Sequence, residues 1–244
     1  MKKQPLLYSL VLILILWQIS TWIVHKNFLP SPALTGQYMV IHFSLLIKHM
    51  SVSLYRILVA IVITVILGST VGILTARSEV LDRVVTPLLY TLYPVPKIAF
   101  LPLLMLLLGL GDASKITLVA LILFFQIVIS VRDSVKAIHP SYFIAIKSLG
   151  AKSSHIYRHV IVPAILPALF TSLRISVGTS ISVLFFAENF ATQYGIGFFI
   201  MDSWLKLDYA AMFAGIVTIS FMGSALFGLL DWTESKLCRW VPKG

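Results

Sequence analysis

Charge is scarce in this chain. Only 11% of its residues are Asp, Glu, Lys or Arg, against about 25% in a soluble domain whose surface must face water. Acids are the scarcer sign, nine Asp and Glu in 244 residues, and most stand between apolar runs. No paired-carboxylate or Ser/His/Asp arrangement can be assembled from so few, which argues against an enzyme. Cysteine is nearly lacking: Cys238 alone excludes an internal disulfide and an all-cysteine metal site. The six histidines, His25, His42, His49, His139, His155 and His159, are scattered outside the span interiors, an arrangement that suits neither a metal site nor a proton relay. A phosphate-binding loop is lacking too. Gly109-Leu110-Gly111-Asp112-Ala113-Ser114-Lys115 sets glycines before a lysine, without the spacing or the Lys-Ser/Thr ending that cradles phosphate. It reads as a turn.

What is present is apolar. Hydrophobic residues make up 59% of the chain and the mean hydropathy is +0.96. Apolar runs of roughly 20 residues recur, the length needed to cross a bilayer as a helix. The expectation is an all-α, polytopic membrane protein of six transmembrane helices embedded in the lipid bilayer. The formal net charge of +10 does not point to nucleic acid, because the basic residues occupy short gaps rather than one exposed face.

The first run covers residues 6–24; without a small-x-small cleavage site after it, it reads as an uncleaved helix rather than a signal peptide. Residues 25–50, punctuated by Pro30 and Pro32, read as an external connection. A second span is expected over 52–74, with Gly68 and Gly72 at a spacing that lets helix backbones approach. The third region, 84–110, holds Pro87, Pro94, Pro96 and Pro102. So many prolines exclude one straight helix, and the expectation is a short helix on the cytoplasmic side, a break near Pro94–Pro96, and a membrane-crossing piece. Further spans are expected over 116–131, 167–187 and 209–230, with a polar-aromatic gap over 188–207. The chain divides into an anchor helix and connection over 1–50 and a transmembrane domain over 51–244.

Alternating these spans across the bilayer puts thirteen Lys and Arg, from Lys2, Lys3, Arg77 and Arg83 to Lys236, Arg239 and Lys243, on one side. Five (Lys26, Lys48, Arg56, Lys115 and Lys206) fall on the other. The positive-inside rule then sets both termini in the cytoplasm.

Residues 132–162 form the least hydrophobic stretch. Pro140-Ser141 is a helix start, Phe143, Ile146 and Leu149 recur as one apolar stripe, and Gly150 suits the left-handed position that closes a helix. A second short helix is expected from Ser153 to about Val160, stopped by Pro163. Such a cytoplasmic helix-turn-helix, apolar with a basic rim, suits a partner's docking site or a helix lying on lipid headgroups.

The stretch Ile144-Ala145-Ile146-Lys147-Ser148-Leu149-Gly150-Ala151, followed by Val160-Ile161-Val162-Pro163, resembles the permease signature of binding-protein-dependent ABC importers. That signature is Glu-Ala-Ala, three residues, Gly, nine residues, Ile-x-Leu-Pro. "TPLLYTLYPVPKIAFLPLLMLLLGLGDASK", "LPALFTSLRISVG" and "AENFATQYGIGFFI" resemble the branch that imports nitrate, sulfonates and taurine. Ile144 stands in place of the signature's Glu and Ile146 in place of its second Ala. The resemblance implies a subunit that binds no ATP or other cofactor itself. It implies assembly with a second permease copy, as a homodimer, with two ATPase subunits that bind the ATP, and with an extracytoplasmic substrate-binding protein. Phe143, Ala145, Ile146, Leu149, Gly150, Ala151 and Pro163 would couple to the ATPase. The cargo implied is a small anion such as sulfonate, nitrate or taurine, with a pyrimidine vitamin precursor as the alternative. A self-contained carrier is the rival class, but it calls for midplane charge pairs and inverted repeats, and the sequence shows neither.

Polar residues inside spans are costly unless they face a cavity or another helix. Ser172, Ser176, Ser180 and Glu188 fall on one helical face with Thr179 beside it, and Gln126, Ser130 and Ser134 on another. They are candidates for a translocation path, or small residues that permit close helix packing. Lys97 either offers charge to an anionic cargo or snorkels to the interface. Glu188 either supports an external gate or ends its helix.

Overall fold

The computed structural model describes residues 3–24 and 28–240. Lys2, His25, Lys26 and Lys243 lie outside the described residues, as does the side chain of Lys3. Every regular element among the described residues is helical, as the apolar runs require: with no water in the bilayer core, each backbone group of a span must be paired within its own segment. The helices are α1 (Lys3–Val24), α2 (Pro32–Ile41), α3 (Phe43–Arg77), α4 (Glu79–Leu92), α5 (Leu101–Leu108), α6 (Asp112–Lys136), α7 (Pro140–Ser148), α8 (Ser153–Ile156), α9 (Val162–Ala187), α10 (Ile196–Leu205) and α11 (Tyr209–Leu237). Two compact units are formed, Met1–Leu54 with Glu188–Met222, and Tyr55–Ala187 with Gly223–Gly244.

Four helical stretches among the described residues are long and apolar enough to cross a membrane: Phe43–Arg77, Asp112–Lys136, Ser153–Ala187 and Tyr209–Leu237. The proline-rich region breaks as expected, but its second part is not a crossing helix. Glu79–Leu92 and Lys97–Leu108 meet at 89°, and the second piece is about 18–20 Å long by helical rise, short of the ~30 Å apolar core. The break has a local cause, since Pro94 and Pro96 donate no backbone N–H and Lys97–Phe100 tightens into a 3-10 turn. Counting the bent pair as one span gives five. The N-terminal helix presents its apolar residues from Tyr8 to Val24.

In the first unit, α1 is tied to the connection that follows it. The Trp17 indole N–H donates to the Pro30 carbonyl at 3.0 Å, and the Trp17 ring stacks on Phe213 with centroids 5.6 Å apart. The connection is more ordered than the sequence suggested: the Ser31 side chain caps α2 at the Leu34 N–H, and α3 starts at Phe43. His49, expected outside the spans, is therefore buried within α3.

In the second unit α6 is the central helix and packs most extensively on α9. Its Leu118, Val119, Leu123, Ile127, Val128 and Val131 are fully buried. In lipid such burial gains close packing rather than release of water, so the fit of backbones decides. Gly68 and Gly72 meet that need. A Cβ on Gly68 would lie 3.0 Å from Ile127 Cγ2, and one on Gly72 2.9 Å from the Val128 carbonyl oxygen.

Candidate functional site

The stretch 132–162 differs from its expected form in two ways. Helix α7 is capped by the His139 side chain, which accepts from the Ser141 N–H, and it ends at Ser148 with Gly150 at φ +75°, both as the residue types require. However, the helix that begins at Ser153 does not stop at Pro163. It runs on into α9 through a π-helical turn, Tyr157–Ile161, in which the Val162 N–H reaches back to the Tyr157 carbonyl. Pro163 would strike the carbonyl four residues before it in a regular helix, and the wider turn gives it room. The result is one short helix followed by a continuous span, Ser153–Ala187, rather than a closed helix-turn-helix.

The apolar stripe is also redistributed. Phe143 and Ile146 are half-buried, with Ala145 and Gly150 exposed and Ala151 half-buried. Leu149 falls beyond the last helical residue and is 85% exposed, together with Tyr142 and Ile144. Half-buried Pro163 lines a groove of about 620 Å³ with Ser134, His139, Tyr142, His159 and Trp240. Thus α7 presents an apolar tip and is joined by a few residues to two long helices, α6 before it and α8–α9 after it.

Those helices, with Tyr93 just past the end of α4, line an open cleft of about 470 Å³ through Gln126, Ile129, Ser130, Ala168, Thr171, Ser172 and Ile175. Of the polar residues singled out by spacing, Gln126, Ser130 and Ser172 are brought together here. Ser176 is buried behind them and donates to Gln126 Oε1. Ser130 Oγ donates to the Ala168 carbonyl at 3.2 Å, and Ser172 Oγ to the Gln126 carbonyl at 3.4 Å. These bonds cross from α6 to α9, so the serines pack the helices and line the cleft at once. Thr179 Oγ1 donates to its own helix at the Ser176 carbonyl. Ser180 is fully buried and its hydroxyl has no partner among the described residues; neither belongs to the cleft.

Lys97 is occupied. Its ammonium donates to the Leu92 carbonyl at 2.9 Å, which also accepts from the Val95 N–H, and to the Tyr93 carbonyl, where α4 ends, and lies 4.7 Å from the Phe125 ring centroid. The proline break explains the lysine: it supplies the donors that the broken helix lacks.

Glu188 belongs to a separate cluster, in the other unit. Its side chain is fully buried. It accepts from Ser53 Oγ at 2.7 and 2.9 Å and from the Gly197 N–H at 2.8 Å, while Ser53 Oγ accepts from the Ile196 N–H at 2.8 Å. Gly195 sits at φ +137°, and a Cβ there would fall 2.4 Å from the Glu188 carboxyl carbon. His49 Nδ1 lies 3.0 Å from the Gly195 carbonyl oxygen. The carboxylate thus organises the turn before α10. Sequence reasoning found Glu188 but missed Ser53, Gly195 and Gly197, for which the only signal was the paired glycines after the acid.

Asp82 was also missed. It accepts from Arg132 Nε at 2.7 Å, from Lys136 Nζ and from Thr86 Oγ1 at 2.7 Å, joining the first turn of α4 to the last turns of α6. Arg174 likewise holds Asp231 at 2.6 Å and Glu234 at 2.7 Å, joining α9 to α11.

The chain matches known proteins along most of its length. A family profile described as the binding-protein-dependent transport system inner membrane component matches residues 64–238. The chain is 33% identical over 193 residues to the taurine transport system permease protein of Escherichia coli, covering 79% of this chain and 70% of that protein. It is 27% identical over 242 residues to the formylaminopyrimidine transport permease protein of Halalkalibacterium halodurans, covering 98% and 96%. Among solved structures, the inward-facing MetNI methionine ABC transporter contains a chain of the same fold, with a TM-score of 0.66 at 20% identity over 83% of this chain and 98% of that one.

Proposed function

Since this chain belongs to the family of binding-protein-dependent transport system inner membrane components, we propose that α7 and its flanks are the contact through which a separate ATPase drives it. The chain is an ABC importer permease subunit, a multi-pass, non-enzymatic component of the inner membrane, and family membership implies ATPase and binding-protein partners. On our reading the bundle has six spans, with α1 as the first and the bent α4–α5 pair as the third. Both termini are cytoplasmic, two copies form the path, and Gln126, Ser130 and Ser172 are part of its lining. The transmembrane domain covers residues 51–244. The cargo is a small polar solute of the size carried by its relatives, named for taurine and formylaminopyrimidine.

One observation carries this reading. The exposed apolar tip of α7, Tyr142, Ile144 and Leu149, is tethered by short links to the two helices that wall the cleft. A push on the tip is therefore transmitted to the cleft without a flexible intermediary. An apolar tip that stays in water is unfavourable, and an apolar groove on a partner would cover it.

The test is coupling, not folding. Ala145 is exposed, and a Cβ on Gly150 meets nothing within 4 Å, so neither Ala145→Asp nor Gly150→Leu disturbs the interior. Gly150→Leu must hold a left-handed backbone at a cost of about 1–2 kcal/mol. Both variants should insert normally yet lose the ATPase stimulation and the uptake that a loaded binding protein elicits. Wild-type uptake in Ala145→Asp would remove the coupling role from α7.

A further inference from the structure

We propose that the cleft between α4, α6 and α9 is a binding subsite for an uncharged polar solute that carries both hydrogen-bond donors and acceptors, and that it discriminates against anions. The assignment rests on the permease reading above and adds the substrate class.

The first observation is the charge of the lining. Among the described residues, no Lys, Arg, His, Asp or Glu lines the cleft. The cations that flank it in sequence are engaged elsewhere. Lys97 is held by the carbonyls at the end of α4, Arg132 by Asp82 and Asp133, and Arg174 by Asp231 and Glu234. A sulfonate or nitrate entering this open cleft would trade part of its hydration for neutral dipoles and aliphatic side chains (Ile129, Ile175, Ala168), with no cation in the lining to offset the loss.

The second observation is which polar atoms remain open. The hydroxyl protons of Ser130, Thr171 and Ser172 are all donated to backbone carbonyls, so these side chains offer lone pairs to the cleft. The Gln126 side-chain oxygen is taken by Ser176, which leaves its amide N–H groups as the donors it can offer. The Tyr93 hydroxyl has no partner among the described residues and adds a group of either kind. A solute that matches this set presents N–H or O–H donors to the serines and threonine, and an acceptor to Gln126. The cleft volume, about 470 Å³, is in the range of small-molecule sites. Amino- and amide-bearing heterocycles fit this chemistry, whereas free inorganic and sulfonate anions do not.

The experiment measures equilibrium binding of radiolabelled probes to the permease–ATPase complex in lipid nanodiscs, with the binding protein omitted. The probes are a formylaminopyrimidine, ethanesulfonate and nitrate. Wild type should bind the pyrimidine and neither of the others. Gln126→Leu should weaken pyrimidine binding at least tenfold, and Ser172→Lys, which brings a cation to the cleft, should gain ethanesulfonate or nitrate binding at the pyrimidine's expense. The thermal midpoint of each variant in the same nanodiscs separates a lost contact from a lost fold. Tighter binding of ethanesulfonate or nitrate to wild type overturns the proposal, as does failure of all three probes to bind, or unchanged pyrimidine binding in a folded Gln126→Leu. A loaded binding protein added to the same complex should stimulate ATP hydrolysis. Loss of that stimulation with intact probe binding would refute the permease reading and not the subsite; intact stimulation with no probe bound would refute the subsite alone.

Discussion

Arg132 Nε and Asp82 Oδ1 meet at 2.7 Å, and the contact ties the first turn of α4 to the end of the helix that leads into α7. Lys136 holds the other oxygen of the same carboxylate. Displacement of α7 is thereby shared with the helix that ends just before Tyr93 and the proline break.

Asp82→Asn removes the charge that both cations face and leaves the Arg132 guanidinium, only 12% exposed, with Asp133 alone. The thermal midpoint of the purified protein should fall, and fall further than in Lys136→Met, because Lys136 is the more exposed partner. Restoring opposite signs in Asp82→Lys with Arg132→Asp should recover part of the loss. Equal midpoints for Asp82→Asn and wild type would show that the contact carries no stability.

Close approach of α3 and α6 rests on Gly72. Gly72→Leu must displace the Val128 backbone or the Val131 side chain, and overpacking of this kind costs about 1–3 kcal/mol. Gly36→Ala is the control, since a Cβ there meets nothing within 4 Å and alanine is the better helix former by up to ~1 kcal/mol. Midpoints measured in one detergent should drop for the first and hold or rise for the second.

At the turn before α10, Gly195→Ala is penalised twice, by a positive φ and by collision with the Glu188 carboxyl group. Glu188→Gln keeps the shape but weakens the acceptor offered to Ser53 and the Gly197 N–H. Limited proteolysis across 188–197 should be fastest in Gly195→Ala, intermediate in Glu188→Gln and slowest in wild type. Equal protection of Gly195→Ala and wild type would contradict the packing described.

Cys238 follows the last residue of α11 and is 5% exposed. Burial, and secondarily the Glu234 carboxylate, raise its thiol pKa. The thiolate is the reactive form, so a raised pKa leaves less of it at neutral pH. Maleimide should label Cys238 more slowly than a cysteine placed at the exposed Trp240, in Trp240→Cys with Cys238→Ala. The Cys238 rate should still be climbing at pH values where the exposed thiol has levelled off. Comparable rates at pH 7 would place Cys238 at the surface.

Much of this architecture was legible in the residues. Apolar runs located the long helices because lipid imposes one secondary structure on them. Gly68 and Gly72 announced a close contact because only glycine leaves room for a facing backbone. Prolines 94 and 96 announced a break, though not its angle, because proline removes a donor without dictating where the chain turns next. Pro163 misled for the same reason: its clash can be relieved by ending the helix or by widening it, and only the three-dimensional setting of Tyr157–Ile161 decides. Period-four spacing grouped Ser172, Ser176 and Ser180 on one face of a helix. A face is wider than a cleft, however, and the neighbouring helix buries the last two. Lys97 and Glu188 stood out as charges in apolar surroundings, but Lys97 is held by backbone carbonyls and Glu188 by a backbone N–H and a serine 135 residues away, which the sequence cannot single out.

The central claim, that a separate ATPase drives this bundle through α7, is met most directly by solute accumulation in proteoliposomes. The permease would be reconstituted alone, or with its ATPase, its binding protein and ATP, and offered radiolabelled taurine and formylaminopyrimidine in turn. Accumulation against a gradient with the full set only, abolished by Ala145→Asp, is the predicted result. Accumulation by the permease alone, without ATPase or nucleotide, would contradict it.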